Sequence, residues 1–157
     1  NAGGGFAYVG AMHDSFPHAL ELSKMGYNAF ALIYRPGAQT ACEDLARAIS
    51  FIFENADELE VNTDCYSLWG GSAGGRMYTG HSEYSESDLP TYACVGENDG
   101  IANWRTMEAR LNRLNELGIP TEFHHYEGLR HGFGLGTGTV AEGWINDAVN
   151  FWENQMQ

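Results

Sequence analysis

Positive charge is scarce in this sequence: 8 Lys and Arg stand against 21 Asp and Glu, a formal net charge of −13. Phosphate backbones and anionic lipid surfaces repel such a chain, so no nucleic-acid partner is expected. Long apolar runs are absent too. None approaches the roughly 18–20 residues that cross a bilayer, and no membrane span is expected. Cysteine is sparse and odd in number. Cys42, Cys65 and Cys94 cannot all pair within the chain, and Cys65 and Cys94 fall in apolar, strand-like runs that predict buried free thiols. No signal peptide is visible, although "NAGGGFAYVG" reads like the middle of a fold; with the free thiols this favours the cytoplasm. No element carries His, Cys, Asp and Glu at ligand spacing, so no metal is expected. Repeats, low-complexity segments and linkers are missing as well.

What is present is an alternation of helical and strand-like patterns over 157 residues, 43% of them hydrophobic, which predicts a single domain over 1–157 with one core. "HDSFPHALELSKMG" offers Asp14 or Ser15 as N-cap, Pro17 in the first turn and Gly26 as a stop. "TACEDLARAISFIFENADEL" puts Leu45, Ile49, Ile52 and Phe53 on one helical face. "NWRTMEARLNRLNELGIP" does the same with Met107, Leu111, Leu114 and Leu117 and ends at Gly118, and "VAEGWINDAVNFWENQM" closes the chain as a helix. Between these helices, "YNAFALIYR", "CYSLWG", "TYACVG" and "TEFHHYEG" read as strands, the first three as buried ones. The pattern predicts an α/β domain with a mostly parallel central sheet and helices on both faces. Ligands bind such sheets beyond the carboxyl ends of the strands, which directs attention to the loops after Trp69, Val95 and Tyr126.

Those loops hold a serine, an acid and a histidine. Gly70-Gly71-Ser72-Ala73-Gly74 fits G-x-S-x-G, a strained strand-to-helix turn whose neighbours two positions from the serine must be small. A "GGSAGG" stretch is equally an ordinary flexible turn. Asp99 follows the third strand in "VGENDG", where Asn-Asp-Gly is also simple turn chemistry. Glu97 is the weaker substitute, and Asp88 precedes the strand and falls at the wrong edge of the sheet. His131 follows the last strand among glycines. Adjacent His124 and His125 point to opposite faces of a strand, where packing or exposure suffices. His13 and His18 flank a helix start, and His81 lies in the polar stretch after the elbow. Serine, acid, then histidine is the order of a triad on this type of sheet. Ser72 would attack an acyl carbonyl, His131 would relay its proton, and Asp99 would fix the imidazole tautomer. "GGGF" offers side-chain-free amides at Gly4 and Gly5 that, with Ala73, would form an oxyanion hole; a terminal glycine run is the plainer alternative.

These residues resemble the α/β-hydrolase superfamily, in particular its esterase/lipase branch related to hormone-sensitive lipase and bacterial acetyl esterases. The resemblance runs through "GGGF" (Gly3–Phe6), Tyr34 and Arg35, Glu43–Leu59, "GGSAGG", "GENDG" and "HGF" (His131–Phe133). It implies a serine hydrolase of small carboxylic esters, acetylated sugars among them, that needs no cofactor. In it Ser72, Asp99 and His131 form the triad, with Gly4, Gly5 and Ala73 as oxyanion donors. A peptidase or amidase, or an inactive binding module on the same fold, stays open. Phe6, Tyr8, Trp104 and Phe133 are candidates to line an acyl or sugar pocket, with core packing as the alternative.

The sequence departs from that branch in three places. Ala2 stands where a histidine often precedes the glycines. The strands that come before the glycine loop are not found. Between the elbow and the strand leading to Asp99 a helix and a further strand are expected, and the short interval reads as lacking a segment near residues 76–79.

Overall fold

In the computed structural model, which describes residues 1–79 and 83–157, the chain falls into two compact units, Asn1–Gly80 and His81–Gln157. The first unit is helical. A single turn, α1 (Ala11–Asp14), leads into α2 (Phe16–Lys24), whose Pro17 occupies the first turn, where a missing N–H breaks no helical bond. Neither expected side-chain cap forms: Ser15 Oγ donates back to Ala11 O, and Asp14 accepts from the Gly3 amide instead. The expected stop does form. Gly26 N donates to Ser23 O at 3.0 Å and Tyr27 N to Leu22 O at 3.1 Å, which closes the helix over a left-handed Gly26 at φ +97°.

Helix α3 (Ala38–Glu54) and the turn α4 (Ala56–Leu59) follow. Ala41 is buried and Leu45, Ile49 and Ile52 are half-buried on one stripe. Phe53, expected on that stripe, is exposed. It lies 100° beyond Ile52 at 3.6 residues per turn, and its ring meets Tyr66 edge-on at 5.3 Å. Helix α5 (Ala73–Thr79) begins directly after Ser72, so a seven-residue helix stands where the sequence suggests a missing segment. His81 lies outside the described residues.

The two strands expected at 27–35 and 65–70 are corrected. Neither run has a ladder partner among the described residues, and Phe30, Ile33, Tyr66 and Leu68 are exposed rather than covered. An apolar run supplies side chains for a sheet, but only a neighbouring backbone makes it one. Cys65, at φ +56°, is likewise exposed, as is Cys42; none of the three cysteines is in a disulfide. Cys94 is half-buried rather than fully buried, the nearest of the three to the expectation, and desolvation pushes its thiol up to about 12.

The second unit is built on the other two expected strands. β1 (Thr91–Gly96) pairs in parallel with β2 (Thr121–Tyr126), with Thr91 opposite Thr121 and Gly96 opposite Tyr126. Side chains alternate across the pair. Tyr92 on one face stacks with Trp144 and tilts against Phe151 of α7 (Trp144–Asn154), while His125 on the other stacks at 4.5 Å on Trp104 of α6 (Trp104–Glu116). Helices therefore cover both faces of this sheet. Helix α6 starts on Asn103, whose Oδ1 accepts from Arg105 N at 2.9 Å. It ends at Gly118, φ +81°, with Ile119 N bonded to Leu114 O at 3.1 Å and both side chains buried. Leu111 and Leu114 carry its core face. Ile145, Ala148 and Val149 do the same for α7 at i, i+3 and i+4. No helix among the described residues is long and apolar enough to cross a membrane.

Candidate active site

Ser72 sits at φ +49°, a left-handed conformation that a non-glycine residue adopts only when its surroundings impose it. The next residue opens α5, so the serine stands on a sharp turn into a helix and is itself exposed. Small neighbours are required on the helix side: a Cβ at Gly74 would run into the carbonyl of Asn1. Gly71 N donates to the same carbonyl at 3.0 Å, which binds the turn to the segment before the glycine loop.

That loop is pinned on several sides. Gly3 O accepts from Gly10 N at 2.9 Å, Tyr34 Oη donates to Ala2 O at 2.8 Å, and Phe6 O accepts from Gly37 N at 2.8 Å. Gly3 N donates to Asp14 Oδ2 at 3.1 Å. Gly4, Gly5 and Phe6 all have positive φ, so the chain coils back and Gly4 O accepts from Ala7 N at 3.0 Å. Among the described residues no acceptor is bonded to the N–H of Gly4, Gly5 or Ala73. Arg35 clasps the nearby Asp44, with Nη2 to Oδ1 at 2.6 Å and its own amide to Oδ2 at 2.8 Å. The Arg35 side chain and amide hold the Asp44 carboxyl at about 2.

In the second unit, Asp99 and His131 meet. His131 Nδ1 lies 2.7 Å from Asp99 Oδ2, and Asp99 Oδ1 accepts from Ile101 N and Ala102 N, both at 2.8 Å. The acid is nearly sealed, its side chain 5% exposed, and the imidazole is 26% exposed. Burial pushes the Asp99 carboxyl up. The amides of Ala102 and Ile101 and the His131 ring outweigh it, leaving the group below the ordinary carboxylate value. The two loops are laced together at the end of β1: Asn98 N donates to Leu129 O at 2.9 Å, and a Cβ at Gly96 would strike that same carbonyl. Trp144 Nε1 donates to Gly134 O at 3.0 Å and Phe133 packs edge-on against Tyr126 at 5.8 Å, anchoring the chain just past His131.

The competing residues have other occupations. His124 pairs with Glu122 at 2.7 Å, His125 stacks on Trp104, and Asp88 accepts from Ser85 N at 2.8 Å in a turn. Glu97 is exposed. Of the candidate pocket aromatics, Trp104 also lies under the Arg105 guanidinium and Phe6 tilts against Tyr34 at 6.3 Å, while Tyr8 is exposed. Among the described residues no group of three His, Cys, Asp or Glu is disposed to hold a metal. The sequence reading missed two residues here. Tyr34 appeared only as part of a motif, and Asp14 only as a helix cap; an acid eleven residues beyond Gly3 carries no signal that it will bond that amide.

A family model, BD-FAE, matches residues 2–93, more than half of the chain and the whole of the glycine loop and elbow. The chain belongs to the BD-FAE family. Its fold is that of the α/β-hydrolases. An acetyl ester-xyloside bifunctional hydrolase from Caldicellulosiruptor lactoaceticus superposes with a TM-score of 0.87 at 20% identity, over 98% of this chain and 80% of that one. A sugar hydrolase from Lactococcus lactis gives 0.86 at 21% identity, over 99% and 87%. A thermophilic esterase from Thermogutta terrifontis, solved with propionate bound, gives 0.77 at 17% identity, over 99% and 81%. No curated relative matches the chain. As a BD-FAE member the protein shares its fold with esterases and hydrolases, and only part of that fold's parallel sheet, the pair β1–β2, is formed among the described residues.

Proposed function

We propose that this BD-FAE protein is a serine hydrolase of small carboxylic esters, short acyl or acetyl esters including acetylated sugars, acting as one α/β-hydrolase domain. The observation that carries the reading is the Asp99–His131 bond of 2.7 Å, with the other Asp99 oxygen held by two backbone amides. Two amides on one oxygen leave the other aimed at the imidazole, which is what orienting it requires. The strained, exposed Ser72 and the unbonded amides of the glycine loop support it independently. Small acyl groups are favoured because one fold relative is an acetyl ester hydrolase and another was solved with propionate bound.

In this mechanism Ser72 Oγ attacks the ester carbonyl while His131 Nε2 takes its proton. The amides of Gly4, Gly5 and Ala73 bind the resulting oxyanion, an effect worth about 2.7–4 kcal/mol per donor. Collapse expels the alcohol, which leaves with the proton from His131, and an acyl-enzyme remains on Ser72. Water, deprotonated by the same imidazole, then releases the carboxylic acid. Asp99 keeps the Nδ1 proton in place and stabilises the imidazolium throughout. All bonds broken and formed involve protein, ester and water, so no cofactor enters.

The test is covalent labelling. A fluorophosphonate should form one adduct on Ser72, lost in Ser72→Ala, and the protein should hydrolyse p-nitrophenyl acetate far faster than peptide anilides. Equal cleavage of the anilides would make it an amidase or peptidase. Folded protein that takes no label would make it a binding module.

A further inference from the structure

We infer that Asp14 is a positioning residue that sets the glycine loop against the serine turn, an inference that rests on the esterase reading above. Asp14 ends α1 with its side chain only 18% exposed, and the carboxylate is turned inward rather than used as a helix cap. Oδ2 accepts from Gly3 N at 3.1 Å, while Oδ1 lies 3.9 Å from the exposed His13 Nε2. The space around it is filled from both sides. A Cβ at Gly3 would lie 2.6 Å from Asp14 Oδ2 and 2.9 Å from Ser72 Cβ. A Cβ at Gly71 would lie 3.4 Å from the same oxygen and 3.6 Å from Asp14 Cβ. One carboxylate therefore bonds the residue before Gly4 and Gly5 and borders the space beside Gly71, the residue before Ser72 and Ala73.

Those two segments supply every amide assigned to the oxyanion. Gly4 and Gly5 have no side chains with which to pack, so their N–H directions depend on where the peptide at Gly3 is held. Tyr34 Oη holds the Ala2–Gly3 peptide by Ala2 O, while Gly10 N and Tyr34 Oη hold the next peptide, Gly3–Gly4, by Gly3 O. Asp14 alone, among the described residues, holds the Ala2–Gly3 peptide by its amide, Gly3 N. Fixing both ends of the Ala2–Gly3 plane anchors Gly3, the residue from which the Gly3–Gly4 plane carrying the Gly4 N–H departs, and a loosened Gly3 would let that donor swing away from the oxyanion. The carboxylate's charge gives no advantage near a developing oxyanion. What the site uses is an acceptor at the right place.

This assigns different outcomes to acceptor and charge. In Asp14→Ala, kcat for p-nitrophenyl acetate should fall about 10- to 100-fold with KM within about threefold, because misplaced donors weaken the transition state rather than substrate binding. Affinity for an aryl trifluoromethyl ketone, whose adduct on serine is an oxyanion, should fall by the same factor as kcat/KM. Asp14→Asn keeps an acceptor oxygen and should restore kcat to within about threefold of wild type. Asp14→Glu keeps the charge, displaces it by one methylene, and should lose kcat as alanine does; this pair decides the question should the alanine variant not fold. Wild-type kcat and ketone affinity in Asp14→Glu, or an asparagine variant as impaired as the glutamate one, would overturn the role. Wild-type protein whose Ser72 takes no fluorophosphonate removes the esterase reading and this role with it, whereas labelled wild type with indifferent Asp14 variants removes this role alone.

Discussion

A left-handed serine is a conformational liability that the rest of the turn must offset. An L-residue in that region costs roughly 1–2 kcal/mol, and Ser72 sits there at φ +49°. The cost is met by the amide of Gly71 on Asn1 O and by the start of α5 at Ala73. Removing the side chain's Oγ leaves the strain; removing Cβ relieves it. Ser72→Gly should therefore be more stable than Ser72→Ala by about 0.5–1 kcal/mol after allowing for the greater freedom of glycine in the unfolded chain. Urea unfolding of the two variants measures this, and equal midpoints would mean that the turn is unstrained. Legibility at this scale was uneven. Ser72 announced itself through the spacing of its glycines, and Asp99 and His131 through their places after strands. Asp14 did not, because its partner is a backbone amide, and an amide leaves no mark on the sequence.

At the scale of elements, chain stops were easier to read than chain partners. Gly26 and Gly118 end α2 and α6 as their positions foretold, since a left-handed residue after an amphipathic stripe is a local requirement. A strand is not local. The runs at 27–35 and 65–70 have the apolar composition of buried strands, and Phe30, Ile33 and Tyr66 are nonetheless exposed, because no neighbouring backbone pairs with them among the described residues. Pairing between β1 and β2, 30 residues apart in register, depends on α6 returning the chain in the same direction. The contrast yields a measurable difference. At Gly118 nothing lies within 4 Å of a built Cβ, so Gly118→Ala meets no steric clash and its cost is purely that of φ +81°. It should destabilise by about 1 kcal/mol. Gly100 has the same open surroundings without a left-handed backbone, so Gly100→Ala should be neutral or slightly stabilising. Thermal unfolding of the pair checks it, and similar losses in both would count against the helix-closing role.

Across the whole molecule the excess of acid sets two opposing trends as pH falls. With a net charge of −13, protonating ordinary carboxylates relieves repulsion and favours the folded chain. Asp44 and Asp99 act against that trend. Arg35 holds Asp44 at about 2 against an ordinary 3.8, and Asp99 is also lowered once its amide and imidazole partners outweigh its burial. A carboxylate whose folded value is depressed contributes stability that is complete above its unfolded value and is lost as pH falls through its folded value. For Asp44 that window runs from about pH 4 down to about 2. Total stability mixes both trends, so the difference between wild type and a variant is the informative quantity. Asp44→Asn should be less stable than wild type at pH 7, by the same amount at pH 5, and the gap should close between pH 4 and 2. The Arg35–Asp44 pair lies at the surface, so 1 M salt should shrink the gap at every pH. Asp99→Asn should show a gap that closes in acid too but resists salt, because its carboxylate is nearly sealed. Urea midpoints for the three proteins at pH 7, 5, 3 and 2, each with and without salt, test both statements. A gap for Asp44→Asn that persists at pH 2 would mean that Arg35 holds the residue by shape rather than by its charge.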